Sequence, residues 1–249
     1  METGEGVMIG GFIVTGPDSK RVLIRGIGPS MSGVGVVGAV TNPLVRLFGS
    51  NGSLIAVNDN WQDTQRTEIE QTGLQPLDPR ESAIIATLAP AAYTATVVNT
   101  DGSNGVGLVE IYDLSSASNA KLANISTRGT VRTADNVMIG GFILGGTSIN
   151  PSKVVVRALG PSLGQVGISG PLTNPTLSLF DSNGIMVGSN DDWQDNANQA
   201  AQLQALSLAP QNPAESALVV TLPPGQYTAV VAGQNAGTGI GLIEVYSIQ

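Results

Sequence analysis

The chain has 249 residues, of which 41% are hydrophobic, 4% aromatic and 12% charged, and its formal net charge is −8. Only 11 lysines and arginines are present and they form no basic cluster, so neither nucleic acid nor an anionic membrane surface is an expected partner. The absence of cysteine and histidine excludes zinc sites built on those ligands and catalysis by a thiol or an imidazole.

The first motif along the chain indicates two copies of one unit. Val-Met-Ile-Gly-Gly-Phe-Ile occupies residues 7–13 and recurs without change at residues 137–143. Seven identical residues in a row are not expected by chance, so we predict an internal duplication. The predicted domains are 1–114 and 121–249, joined by a linker at 115–120, and each is long enough to bury a core of its own.

Short runs of strand-forming residues, separated by Gly, Pro, Asn and Ser, follow one another in each copy. In the first copy the predicted strands are 7–14, 21–25, 44–48, 54–57, 81–88, 93–98 and 107–112. In the second copy they are 137–143, 153–157, 176–180, 185–187, 215–222, 227–232 and 241–246. Helical turns are expected near 64–71 and 198–206. This pattern predicts an all-β fold with one antiparallel β-sandwich or barrel per copy.

One further predicted strand, at 121–128, has no counterpart before the first motif or after the last strand. One interpretation is that the first copy lacks its leading strand because a longer tandem array was cut. The other is that one copy keeps an open groove, which a neighbouring chain fills by strand addition. If 121–128 pairs with 137–143, the edge at 7–13 is bare and apolar, and we expect self-association there.

The start of the chain and its hydropathy bear on localisation. The first six residues lack the basic start and apolar run of a signal peptide, and we interpret Met1 as a start placed inside a longer chain. No apolar run reaches the roughly 18 residues of a membrane span, so membrane insertion is not expected.

Two polar loops hold the candidate metal ligands. These are Asp59 and Asp63 in loop 58–63, and Asp191, Asp192 and Asp195 in loop 190–195. Calcium takes about six to eight oxygen ligands at flexible geometry, which such loops supply. Calcium is therefore a candidate cofactor, with the second loop as the better site. The alternative is that these Asn and Asp residues cap the following helical turn and form Asx turns.

Both tryptophans of the chain, Trp61 and Trp193, lie in the same two loops. An exposed tryptophan beside Asn and Asp can stack on a sugar ring, which makes both residues candidates for ligand binding. The alternative is a ring that folds back over one end of the sandwich, with its indole N–H hydrogen-bonded.

Charged residues also occur within very apolar strands. Partly buried pairs of Arg25 with Glu110 and of Arg157 with Glu244 would satisfy these charges, and we predict such structural pairs. Glu81 and Glu110 are the carboxylates that a glycoside hydrolase would need as a pair. Because the same residues recur in a repeated module that has no histidine and no aromatic-lined cleft, we predict that the chain is not an enzyme.

Part of each copy resembles the bacterial pre-peptidase C-terminal domain. The shared elements are Leu-Ser-Leu-Phe-Asp-Ser-Asn-Gly at 177–184, Asn-Asp-Asp at 190–192 and Leu-Pro-Pro-Gly-Gln-Tyr-Thr at 222–228, and they span a little over half of a copy. The remaining motifs look like a tandem repeat of large secreted surface proteins of environmental bacteria. The resemblance implies a jelly-roll-like sandwich, export, and in some members calcium at the Asn-Asp loop. The first copy departs from the pattern, with Asn60 in place of one carboxylate and Ala91-Ala92 in place of a Pro-Gly turn.

We therefore predict two tandem jelly-roll-like sandwiches that form a non-catalytic, extracellular structural or adhesive module of a bacterial surface, matrix or filament protein. Its expected partners are further copies of itself or neighbouring repeats. The alternative is a carbohydrate- or protein-binding module accessory to a secreted enzyme, with a glycan or a surface protein as its ligand.

Overall fold

The computed structural model describes residues 7–115, 119–134, 136–145 and 150–248 and divides the chain into two compact units. Unit 1 is Met1–Ile125 and unit 2 is Ser126–Gln249. Residues 116–118 of the predicted linker lie outside the described residues. In the described part of the chain, no helix has both the length and the apolar character needed to cross a membrane.

Strands dominate both units, which confirms the predicted all-β fold. The strands are β1 (Met8–Thr15), β2 (Lys20–Ile27), β3 (Pro43–Gly49), β4 (Leu54–Asn58), β5 (Ser82–Leu88), β6 (Ala91–Asn99), β7 (Leu108–Asp113), β8 (Lys121–Val131), β9 (Met138–Leu144), β10 (Ser152–Leu159), β11 (Pro175–Asp181), β12 (Met186–Asn190), β13 (Ser216–Leu222), β14 (Gly225–Gly233) and β15 (Gly239–Ile248). The helices are α1 (Pro29–Ser32), α2 (Arg66–Gln71) and α3 (Ala197–Ala205), and 3-10 segments lie at Pro161–Val166 and Gln234–Ala236.

Unit 1 is a sandwich of two antiparallel sheets. One sheet has the order β8–β1–β6–β3–β4, to which β8 contributes its residues 121–125, and the other has the order β5–β2–β7. Phe12 and Leu47 of the first sheet share one core cluster with Ile24 and Ile84 of the second. Because alternate side chains of a strand point to the same face, two facing apolar rows produce this common core.

Unit 2 repeats this arrangement with its own strands. Its sheets have the orders β12–β11–β14–β9 and β13–β10–β15–β8, and β8 contributes residues 126–131. The registers also match: Phe12 lies opposite Tyr93 in unit 1, and Phe142 lies opposite Tyr227 in unit 2. In both pairs the ring centroids are 5.5 Å apart. The jelly-roll path and the duplication remain interpretations of the sequence.

An outer layer covers the second face of one central strand in each unit. In unit 1, Leu23 of β2 packs with Trp61, with Ile69 of α2 and with Ile85. The equivalent cluster in unit 2 contains Val155, Trp193, Leu203 of α3 and Ala217. Because β2 and β10 are buried on both faces, their sequences are nearly continuous apolar runs rather than strict alternations.

Strand β8 supplies an edge strand to each unit. Its residues 121–125 belong to unit 1, where β8 neighbours β1 and Leu122 packs against the core. Asn119, just before β8, donates its backbone N–H to Asp18 at 2.9 Å and so fixes the start of this part. Residues 126–131 belong to unit 2, where β8 neighbours β15 and Val131 is fully buried in the core.

This arrangement contradicts the expectation of a bare edge at residues 7–13. In unit 1, β1 is covered by β8, whereas in unit 2 β9 is the last strand of its sheet among the described strands. Ile139 and Ile143 of β9 are accordingly 57% and 68% exposed, while their counterparts Ile9 and Ile13 are partly buried. The prediction was wrong because an alternating pattern identifies a strand but does not choose its neighbour.

Candidate functional site

The first asparagine of each Asn-Asp loop ties that loop to a neighbouring strand. Asn58 Oδ1 accepts the Ala83 backbone N–H at 2.9 Å, and its Nδ2 donates to the Asn60 carbonyl at 2.9 Å. Asn190 makes the same two bonds in unit 2, from Ala217 N at 2.8 Å and to the Asp192 carbonyl at 2.9 Å. Each asparagine therefore closes an Asx-type turn, and both polar atoms of its side-chain amide are hydrogen-bonded.

The five candidate calcium ligands do not form one cluster of carboxylates. Asp63 accepts from Asn60 Nδ2 at 3.1 Å, and Oδ1 of Asp59 and of Asp192 are buried without a hydrogen-bond partner among the described residues. Within the described ranges, no three acidic side chains are grouped so that they could hold a metal ion. These donors fall short of the number that calcium takes, and calcium stays a prediction.

Asp191 and Asp195 line an open polar groove of about 530 Å³ in unit 2. Burial raises the pKa of Asp191, and the negative charges of Asp192 and Asp195 raise it further. The Gln234 amide opposes this shift because its Nε2 donates to Asp191 Oδ2 at 2.6 Å. The groove is open rather than enclosing, unlike the concave sites that bury most of a bound small molecule.

The two tryptophans are core residues in this structure. Trp61 is 5% exposed and Trp193 is 6% exposed, and both pack beneath the helix of the outer layer. Trp193 Nε1 donates to the Asn212 carbonyl at 3.2 Å, whereas Trp61 Nε1 has no partner in the described part of the chain. Neither ring therefore presents a face on which a sugar could stack.

The Arg–Glu pairs form a three-membered network with a tyrosine. Arg25 Nε and Nη2 donate to Glu110 Oε2 at 2.8 and 2.5 Å, and Tyr112 Oη donates to Glu110 Oε1 at 2.8 Å. Arg25 Nη1 also donates to the Leu74 carbonyl, and its guanidinium lies 4.9 Å from the centre of the Tyr112 ring. These bonds join β2, β7 and the loop after α2.

Unit 2 contains the same network. Arg157 Nε donates to Glu244 Oε2 at 2.9 Å, its Nη2 contacts the same oxygen, and its Nη1 donates to the Leu208 carbonyl at 3.0 Å. Burial, together with the negative charge of Glu244, raises the pKa of Tyr246 to about 12. The tyrosine therefore stays a neutral hydrogen-bond donor at ordinary pH.

The sequence did not predict the structural role of a second buried carboxylate in each unit. Glu81 is fully buried, and its Oε1 accepts from Gly28 N at 3.1 Å, Ser30 N at 2.9 Å and Ser30 Oγ at 2.6 Å. Its Oε2 accepts from Asp78 N at 3.2 Å. The carboxylate thus satisfies the backbone donors of the Gly-Pro-Ser turn at the end of β2.

Glu215 binds the equivalent turn of unit 2 in the same way. It accepts from Gly160 N at 3.1 Å, from Ser162 N at 2.9 Å and from Asn212 N at 3.2 Å. The signal in the sequence is that Gly-Pro-Ser and Glu-Ser-Ala recur together in both copies, about 50 residues apart. Joint recurrence of two polar motifs points to a contact between them, although neither motif alone names its partner.

These contacts decide what chemistry the charged residues can perform. Glu81 is saturated by four donors, and Glu110 is bound by Arg25 and Tyr112. A general acid or base must reach a substrate proton, and Glu81 is fully buried. Both carboxylates are hydrogen-bonded to groups of their own unit, which they help to hold together.

The comparisons with known proteins add little to this picture. No family model matches the chain, and no curated protein matches it. Among solved structures, a presumed secreted protein from Eubacterium rectale matches with a TM-score of 0.22 and 10% identity, over 95% of this chain and 68% of that one. A chain of Sulfolobus turreted icosahedral virus matches with a TM-score of 0.25 and 12% identity, over 98% and 86%. Likeness at this level carries no argument about function.

Proposed function

We propose that the chain is a non-catalytic structural or adhesive repeat module of an extracellular bacterial surface, matrix or filament protein. One observation carries this proposal: the buried glutamate and the Arg–Glu–Tyr network that recur in both units are hydrogen-bonded within the sandwich of their own unit. Glu81 and Glu215 hold a turn, and the Arg25 and Arg157 networks join strands. A module repeated for its chemistry would keep repeated polar groups available to a ligand.

The separate hydrophobic core of each unit also supports a structural role. Each unit contains its own apolar cluster, so each can act as a self-sufficient block in a series. The composition, with few charges and many strand-forming residues, is suited to stacking such blocks. Extracellular placement is part of the proposal and follows from the resemblance to secreted tandem repeats.

Immunogold electron microscopy of the source cells tests this function. Antibodies against the purified chain should label fibres, sheaths or matrix outside the cell, because a structural repeat is concentrated where the material is. Antibodies pre-absorbed with the same chain give the matched control. Specific label confined to the cytoplasm would contradict the proposal.

The groove at Asp191 and Asp195 favours a second candidate, a binding module for a small polar ligand such as a glycan. A glycan array distinguishes the two candidates, with Gln234→Ala and Asp195→Ala as the variants that alter the groove. Binding lost in both variants would support the second function. Substitution of Trp193 is unsuitable for this purpose because that ring belongs to the core.

A further inference from the structure

One outermost strand in each unit has a counterpart in the other unit that is covered by β8. In unit 2 this strand is β9, with Ile139 and Ile143 mostly exposed. In unit 1 it is β7, at one end of the three-stranded sheet, where Leu108 is 39% exposed. Such edges present unused backbone donors and acceptors beside apolar side chains, and natural proteins seldom leave them so.

Each uncovered edge has a covered counterpart in the other unit. The counterpart of β9 is β1, which is a neighbour of β8. The counterpart of β7 is β15, which is the other neighbour of β8. The equivalent of Val109 of β7 is Ile243 of β15, which is only 2% exposed, whereas Val109 is partly buried.

Strand β8 is therefore an example of a strand that pairs with both kinds of edge. The first part of β8 places Leu122 on the core beside β1, and the last part places Val131 on the core beside β15. The β9 edge would accept the first part of a β8-like strand, and the β7 edge would accept the last part. A single segment with the pattern of β8 would supply both, one half to each of two successive units.

We propose that β9 and β7 are acceptor edges for a further strand with the sequence pattern of β8. The β9 edge takes the part equivalent to residues 121–125, and the β7 edge takes the part equivalent to residues 126–131. In a longer array every such strand is then shared by two neighbours. This inference rests on the proposed structural function and names the partner of its open edges.

β4 and β5 in unit 1, and β12 and β13 in unit 2, are also outermost strands of their sheets. They have no counterpart that β8 covers. A strand that recognised any exposed edge would bind β4 and β12 as well, which makes these two strands internal controls.

The experiment extends the chain after Gln249 by a second copy of residues 116–131. Tyr246 and Tyr112 are equivalent, so this extension reproduces the spacing by which β8 follows β7 in unit 1. Hydrogen exchange of the full chain, with and without the extension, then reports on β9. We expect the amides of Met138–Leu144 to exchange at least about tenfold more slowly in the extended chain, and those of Met186–Asn190 to be unchanged.

A matched extension carries proline at the positions equivalent to Leu122 and Asn124, which removes backbone donors and prevents pairing. It should give β9 no protection. Unchanged exchange of β9 with the native extension, or equal protection by both extensions, would overturn the proposal. Either result leaves the immunogold test of the structural function standing on its own, so the two failures are distinguishable.

Discussion

At the scale of single residues, the buried carboxylate of each unit gives the sharpest prediction. Glu81→Gln keeps the size of the side chain but turns an amide N–H₂ toward backbone donors, so we expect a loss of about 2–3 kcal/mol in the stability of unit 1. Glu215→Gln should have the same effect on unit 2. Denaturant unfolding measures both.

Glu70→Gln is the matched control because Glu70 forms an exposed pair with Arg66, four residues earlier on the same helix. We expect it to cost only about 0.3–0.5 kcal/mol. Equal losses for Glu81→Gln and Glu70→Gln would show that the Gly-Pro-Ser turn does not depend on its carboxylate.

The two tryptophans form a natural pair for a second prediction. Trp193→Phe removes ring volume and the hydrogen bond to the Asn212 carbonyl, whereas Trp61→Phe removes volume from a ring whose N–H has no partner among the described residues. Trp193→Phe should therefore be the more destabilising by about 1 kcal/mol, as measured by denaturant unfolding. The reverse order would contradict the hydrogen-bonding assigned to these rings.

The raised pKa of Asp191 should make the stability of unit 2 depend on pH. Because its folded-state pKa is raised above the ordinary 3.8, its contribution to stability is fully present below that pH and is lost as pH rises through the folded pKa. Asp191→Asn, which stays neutral, should therefore raise the melting temperature at pH 7, and the gain should disappear at pH 3.

Calcium bound in the groove would reverse the expected effect of Asp191→Asn on the melting temperature. If the ion binds in the groove, added calcium should raise the melting temperature of the native chain and do so less for Asp191→Asn. A calorimetric titration with no heat of calcium binding, together with an unchanged melting temperature, would contradict the calcium prediction.

The sequence predicted some of these residues and missed others for a physical reason. Arg25 and Glu110 stand out because a charge within an apolar strand demands a partner. Trp61 could not be placed from sequence, since a tryptophan beside Asn and Asp suits a surface as well as a core. Gly28 and Ser30, which bind Glu81, lie more than 50 residues away from it, and only the fold brings them together.

At the scale of elements, the two copies of one motif should respond differently to the same substitution. Ile13→Ser alters a partly buried strand beside β8, whereas Ile143→Ser alters a residue that is 68% exposed. We expect a loss of about 1 kcal/mol for the first and less than about 0.5 kcal/mol for the second. Native-state hydrogen exchange of each unit measures the difference, and equal losses would contradict the coverage of β1.

Most strands could be predicted because their pattern is local. The Asn-Gly turn between β3 and β4 also needs only local chemistry, and Gly52 has a φ of 77° there. The pairing of β8 could not be predicted, since two equivalent motifs competed for it and only tertiary packing decides between them. The error about the edge at residues 7–13 came from that choice.

At the scale of the whole molecule, each unit forms a sandwich of its own. Among the described strands, none pairs with β7 on its outer side in unit 1 and none pairs with β9 on its outer side in unit 2. Repetition of the chain would supply a strand to each of these edges from a neighbour, which gives a heterologous and open-ended association. The account therefore predicts growth in one dimension whenever a further β8-like strand is present.

Light scattering with electron microscopy of the extended chain tests this central claim most directly. The first half of the added copy of residues 116–131 should cover β9 of its own molecule, and the second half should add to β7 of the next. We predict linear assemblies that lengthen with concentration, and monomers when the extension stops at the equivalent of Ile125. A chain that carries the full extension and stays monomeric at high concentration would contradict the account.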